Sequence, residues 1–143
     1  MKRILVPIDS TQPARTRSAI EQVVRMVREE PVNVQLLCVQ PKVSNHVAMF
    51  FEPRELHQLQ IDAGTEELLP AQRLLDAAGV PYSSTVKVGR TADTIVATAR
   101  DLGCDHIVFG DDAPGLAGRL FGSLAQQVRS ALGARGDLQV IGS

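Results

Sequence analysis

Residues 106–128, HIVFGDDAPGLAGRLFGSLAQQV, run from an apolar, strand-like segment through a glycine-rich loop into a helix-like segment. Glycine lets backbone amides approach a ligand closely, and the start of a helix adds unpaired N–H groups and a positive dipole end, so such a junction suits a phosphate. Gly110 opens the loop and Gly115 lies within it. Gly122 and Ser123 stand where the helix begins, with the serine hydroxyl able to donate to an oxygen and Leu124 following at the same end. Arg119 is a cation that could neutralise phosphate, pair with Asp111 or Asp112, or remain solvated. Gly122-Ser123 also reads as an ordinary helix N-cap. The two aspartates oppose the phosphate reading, because negative charge beside a phosphate costs binding unless Mg²⁺ lies between them or the side chains point away.

Asp9 and Ser10 follow the first apolar run, RILVPI, with Pro7 at its end. A carboxylate there can accept hydrogen bonds from ribose hydroxyls or approach Mg²⁺ through water; equally, Asp9 or Ser10 can cap the next helix. Val39, at the end of the second run, could offer backbone groups to a flat base. Cys38 and Cys104 lie far apart with no CxxC pair and sit in or beside apolar segments, so both read as buried small hydrophobes rather than metal ligands or redox thiols. His46, His57 and His106 lack HxxxH or HExxH spacing, and His106 reads as a hydrogen-bonded core or edge histidine. No GxSxG elbow, Walker A lysine, HxGH or SGGxDS motif occurs, which disfavours a committed enzyme.

The elements that must position these groups follow from periodicity. Residues 4–8, 32–39, 82–88, 106–109 and 138–141 are strand candidates. A helix after Ser10, Thr11 and Pro13 carries Ile20, Val23, Val24 and Val27 and is closed by Pro31. A longer helical pattern carries Leu56, Leu59, Ala63, Leu68, Ala71, Leu75 and Ala78, with Pro70 predicting a kink or break. Thr91 reads as the N-cap of a helix with Ile95, Val96, Ala99 and Leu102 on one face and Gly103 as its terminator. A last helix from about Gly122-Ser123 carries Leu124, Val128 and Leu132. The segment 41–53, with Met49, Phe50 and Phe51, is extra to the alternation and reads as a lid or an interface. Strands alternating with helices predict an α/β, doubly wound parallel sheet, whose ligands bind at the carboxyl ends of strands where the strand order reverses.

With 143 residues, 44% of them hydrophobic, the chain suits one domain over residues 1–143. Fifteen basic against sixteen acidic residues and 3% aromatics argue against a nucleic-acid partner. The N-terminus MKRILVPIDS does not read as a signal peptide, and no apolar run reaches spanning length, so a cytoplasmic protein without a membrane partner is expected.

Put in order, RILVPIDST, LLCVQP, VGRTADTIVATARDLGCDHIVFG and GLAGRLFGSLAQQV resemble the universal stress protein family over nearly the whole chain. The resemblance implies a five-stranded sheet of order 3-2-1-4-5 and a homodimer pairing through the last strand, residues 138–141. Asp9 and Val39 match the family's ribose-contacting aspartate and base-contacting valine. Nucleotide-binding members carry G-x2-G-x9-G-[ST]. Gly110 and Gly122-Ser123 match its ends, whereas Ala113 replaces the second glycine, Gly115 comes two positions late behind Pro114, and eleven residues rather than twelve separate Gly110 from Gly122. Asp111 and Asp112 also replace the small, polar or basic residues usual there.

The expectation is a stress-response regulatory dimer that binds ATP or a related adenine nucleotide, with nucleotide-bound Mg²⁺, and turns it over slowly if at all. Pro7, Asp9, Ser10, Val39, Gly110, Gly115, Arg119, Gly122, Ser123 and Leu124 would form the site. The alternative is a nucleotide-free dimeric interaction module of the same fold; an enzyme acting on an adenylated or phosphorylated small molecule is a third reading for which no nucleophile or metal centre is found.

Overall fold

The computed structural model describes residues 1–110, 124–133 and 138–142. Its parallel sheet contains strands β1 (Lys2–Pro7), β2 (Val32–Gln40), β3 (Ser83–Val88), β4 (His106–Val108) and β5 (Gln139–Ile141), in the order β3-β2-β1-β4-β5. Helices α1 (Pro13–Glu29), α2 (Asn45–Ala48), α3 (Pro53–Ala77), α4 (Thr91–Asp101) and α5 (Leu124–Leu132) complete the described elements. The expected fold class and strand order are therefore observed, and the strand bounds fall within two residues of those read from apolar runs.

The central strands are apolar throughout because helices cover both faces of the sheet. Ile4 and Val6 of β1, Val34, Leu36 and Cys38 of β2, and Val108 join Ala19, Ile20 and Val23 of α1 and Leu68, Ala71 and Leu75 of α3 in one core. The alternate residues Leu5, Leu37, Ile107 and Phe109 turn to the other face. There they pack with Ile95, Val96 and Ala99 of α4 and Ala125, Val128 and Leu132 of α5. Each fully buried Leu, Ile or Phe side chain contributes about 1.5–3 kcal/mol.

Local details refine the expectations. Helix α3 runs through Pro70 without a break. Proline removes the hydrogen bond to the Glu66 carbonyl, and both residues lie on the exposed side, where water can satisfy that oxygen. Thr91 is the first helical residue of α4 rather than its cap; Arg90 holds the cap position and makes no side-chain capping bond. Within segment 41–53, Ser44 Oγ accepts from the Val47 amide and starts the short helix α2. Met49 and Phe50 remain 77% and 74% exposed at its end. Gly103 terminates α4 with φ +67° as expected. The last helix is described from Leu124 on, and its expected start at Gly122-Ser123 lies outside the described residues.

A polar tie joins β1, β4 and β5. Asp105 precedes β4; its amide donates to the Arg3 carbonyl at 2.9 Å, and its Oδ1 lies 2.6 Å from His106 Nδ1. The other ring nitrogen of His106 is 3.1 Å from Gln139 Oε1 on β5, so the histidine is hydrogen-bonded between two strands, in keeping with its sequence reading. Burial raises the Asp105 carboxyl, but the hydrogen bonds from His106 and the Arg3 amide outweigh it and leave it below the usual range.

A Cβ on buried Gly110 would overlap the Arg15 carbonyl and crowd the Ala19 amide, so Gly110→Ala should lower unfolding free energy by about 2–3 kcal/mol in urea titrations. For Asp105 the folded carboxyl binds its proton less tightly than the unfolded one, so its stabilisation is full above the unfolded pKa and is lost as pH falls through the folded value. Asp105→Asn should therefore be destabilised relative to wild type at pH 7, and the difference should shrink as the pH falls below the usual carboxylate range.

Candidate functional site

β1 and β4 are adjacent in the sheet, but the crossover from β1 through α1 leads to β2 and the one from β4 leads to β5, so their carboxyl ends diverge in connectivity. This is the switch point at which open α/β sheets leave a crevice. A cavity of about 140 Å³ lies there. Pro7, Ile8 and Asp9 from the end of β1, Leu37 and Val39 of β2, Phe109 after β4, and Leu124 at the start of α5 form its strand side and far wall. Arg15 of α1, Glu67 of α3, and Thr91 and Ile95 of α4 complete it.

Four of the expected residues, Pro7, Asp9, Val39 and Leu124, are thus brought together. Ser10 lies on an adjoining groove of about 600 Å³ between α1 and α3, which shares Ile8, Asp9 and Glu67 with the cavity. Gly110 is buried against the backbone of Arg15 and Ala19 and does not line the cavity; it lets the first turn of α1 sit on the end of β4. Gly115, Arg119, Gly122 and Ser123 lie outside the described residues, as do Asp111 and Asp112.

Asp9 is not the cap of α1, a position held by Gln12 with Pro13 as the first helical residue. Its Oδ1 accepts from the Thr11 amide at 2.9 Å and the Thr11 hydroxyl at 2.7 Å, while its carbonyl accepts from the Gln12 amide at 3.0 Å. The turn holds the carboxylate at the mouth of the crevice, and one oxygen carries both side-chain bonds.

Arg15 and Glu67 do not stand out in the sequence. Arg15 falls in the first turn of α1, where the proximity of Asp9 is the available signal. Glu67 precedes the buried stripe residue Leu68, and only the approach of α3 to the sheet places it. Gly64, one turn earlier, is buried against Val86 of β3 with no room for a Cβ, so α3 lies close over β2 and β3. At that distance Cys38 Sγ donates to Glu67 Oε2 at 3.0 Å, and Gln40 Nε2 donates to the same sulfur at 3.5 Å. Burial and the bond to Glu67 push the thiol up to about 12, aided by the negative charges of Glu67 and Asp9 and opposed by Gln40. Cys38 is therefore a protonated donor at neutral pH. Both cysteines are buried and free, as expected, and burial also raises Cys104.

The arrangement offers an apolar floor with a cation on the α1 side and carboxylates at the β1 and α3 sides. It can enclose a flat ring system and hydrogen-bond hydroxyl or amino donors. Among the described residues no helix is long and apolar enough to cross a membrane.

Comparison with known proteins agrees with this geometry. No curated protein sequence matches the chain. A universal stress protein from Archaeoglobus fulgidus in complex with dAMP superposes with a TM-score of 0.65 at 19% identity, over 99% of this chain and 97% of that one. A universal stress protein family member from Arabidopsis thaliana with AMP bound gives 0.63 at 16% identity, over 99% and 90%. A universal stress protein in complex with cAMP gives 0.65 at 19%, over 99% and 95%. These likenesses establish the shared fold. The profile of the universal stress protein family matches residues 1–131, and with the strand order and the crevice described above, the chain belongs to that family.

Proposed function

We propose that the chain is a single-domain, cytoplasmic stress-response regulator that binds an adenine nucleotide, ATP with Mg²⁺ included, in the crevice at the ends of β1, β2 and β4. The observation that carries this reading is the convergence of Asp9, Val39 and Pro7 on one cavity at the switch point. The adenine nucleotides held by structural neighbours support it. Asp9 would hold the ribose, having one carboxylate oxygen beyond the one engaged by Thr11. Val39 would hold the base through its backbone. Gly115, Gly122 and Ser123 would frame the phosphates with Arg119, whereas Gly110, buried against the backbone of α1, would not, and Arg15 of α1, which lines the cavity, would be a second cation.

Binding with little turnover is the expected behaviour, and the polar side chains lining the cavity are Asp9, Arg15, Glu67 and Thr91. The protein would act as a homodimer through β5, an edge strand of the sheet. The second reading, an interaction module without nucleotide, draws support from the exposed Met49 and Phe50 beside α2.

Calorimetric titration of ATP and AMP, with and without Mg²⁺, tests the proposal. Micromolar binding is expected, weakened about tenfold or more in Asp9→Ala, as for loss of a charge-assisted hydrogen bond. For ATP alone, weakening in Ser123→Ala would mark contact with the phosphates. No binding up to millimolar nucleotide would overturn this reading in favour of the second. Sedimentation should give a dimer in either case, and a monomer would remove β5 pairing from both.

A further inference from the structure

With an adenine nucleotide as its ligand, the crevice has a direction. Gly110 and the backbone of Arg15 meet at the β4 side, Asp9 stands at β1, Val39 at β2, and Glu67 reaches in from α3, which covers β2 and β3. A nucleotide with its ribose on Asp9 and its phosphates toward β4 has its base over β2. Its outer edge then faces Glu67.

A carboxylate is an acceptor only. Its Oε2 takes the Cys38 thiol proton, and among the described residues Glu67 has no other hydrogen-bond partner, so acceptor capacity remains for a ligand. A base that points a ring nitrogen lone pair or a carbonyl at this group leaves two acceptors facing each other in a partly desolvated wall. A base that points an amino group at it satisfies the carboxylate. The 6-amino group of adenine lies where the two hydrogen-bonding edges of the ring meet, so it can reach Glu67 whichever edge turns outward. We propose that Glu67 selects the base, accepting a hydrogen bond from the amino group of a 6-aminopurine, and that Cys38 is a positioning residue whose thiol holds the carboxylate in place. This assignment rests on the adenine-nucleotide reading of the crevice.

The thiol suits this task. It stays protonated across the physiological range, so it donates continuously to Glu67 and offers no thiolate for oxidation or modification. A second-strand residue and a helix residue 29 positions apart are tied by this one bond. Glu67 therefore keeps its orientation without competing with the ligand for a charged partner.

The test compares AMP with purine riboside 5′-monophosphate, which lacks only the 6-amino group, by calorimetry on the full chain. Wild type should prefer AMP by about 10- to 100-fold, the span of a hydrogen bond to a charged group. Glu67→Leu, close in volume and without an acceptor, should reduce the preference to within about twofold. Glu67→Gln, which keeps the shape and an amide oxygen, should give an intermediate ratio and serves if the leucine variant does not fold. Cys38→Ala should also lower the ratio and Cys38→Ser restore it; a merely structural role would weaken both ligands equally and leave the ratio unmoved. AMP binding with an unchanged preference in both Glu67 variants would overturn the assignment and leave the nucleotide reading intact. No AMP binding by wild type would overturn that reading and the assignment with it.

Discussion

The first turn of α1 lies directly on the end of β4, and the contact exists because Gly110 carries no side chain. The α1 side of the crevice depends on this approach of backbone to backbone. It brings Arg15 to the crevice. Gly64 plays the corresponding part on the other side of the crevice, drawing α3 against Val86 of β3 so that Glu67 reaches Cys38 on β2. Two glycines in quite different settings, one just beyond a strand and one inside a helix, thus set the distance between the helical layer and the sheet. Arg15 and Glu67 are placed as a consequence of packing, and Asp9 by the turn that follows β1.

Electrostatics then follows from placement. A carboxylate fixed by a short turn at Asp9, a second one tied by a thiol at Glu67, and an arginine from α1 surround a mostly apolar floor. In a partly enclosed crevice such groups interact more strongly with a ligand than they would on an open surface, so their spacing discriminates among ligands. Cys38 illustrates the economy of the design. The bland sequence reading of a buried small residue is correct as to burial, yet the same burial raises the thiol and makes it a dependable donor to the carboxylate beside it.

The fold is largely legible in the sequence because its signals are local and repeated. Alternating apolar strands and helical stripes, with stops at Pro31 and Gly103, are consequences of a sheet covered on both faces, and the family resemblance supplies the strand order. The boundaries that shift are those where solvent substitutes for a protein group: water can satisfy the carbonyl left by Pro70, and the backbone of α4 starts without help from Thr91. The site is half legible. Asp9 and Val39 follow strands and can be placed by topology. Arg15 and Glu67 lie on helices whose rotation and height over the sheet are long-range properties, set by contacts of Gly110 and Gly64 that no window of sequence contains. Gly110 itself reads in the sequence as a phosphate-binding glycine, whereas the contact that demands glycine there is with α1.

That distinction changes how the altered glycine loop bears on binding. The cavity of about 140 Å³ is well below the roughly 300–1,000 Å³ of whole-ligand clefts. On the proposed reading it would take the base end of a nucleotide, and its walls come from the strand ends and from α1, α3, α4 and α5, elements that also build the two cores. Recognition of the base would therefore be coupled to the stability of the fold. Recognition of phosphates, on the proposed reading, falls to the separate stretch between Gly110 and Leu124, where Ala113, Asp111 and Asp112 depart from the family pattern. Changes in length and charge there can alter how many phosphates are tolerated, and whether Mg²⁺ must accompany them, without disturbing the base. On that reading the base would be held by elements of the core, and the phosphates by Arg15 of the same cavity together with a separate stretch whose sequence can vary while the core is kept.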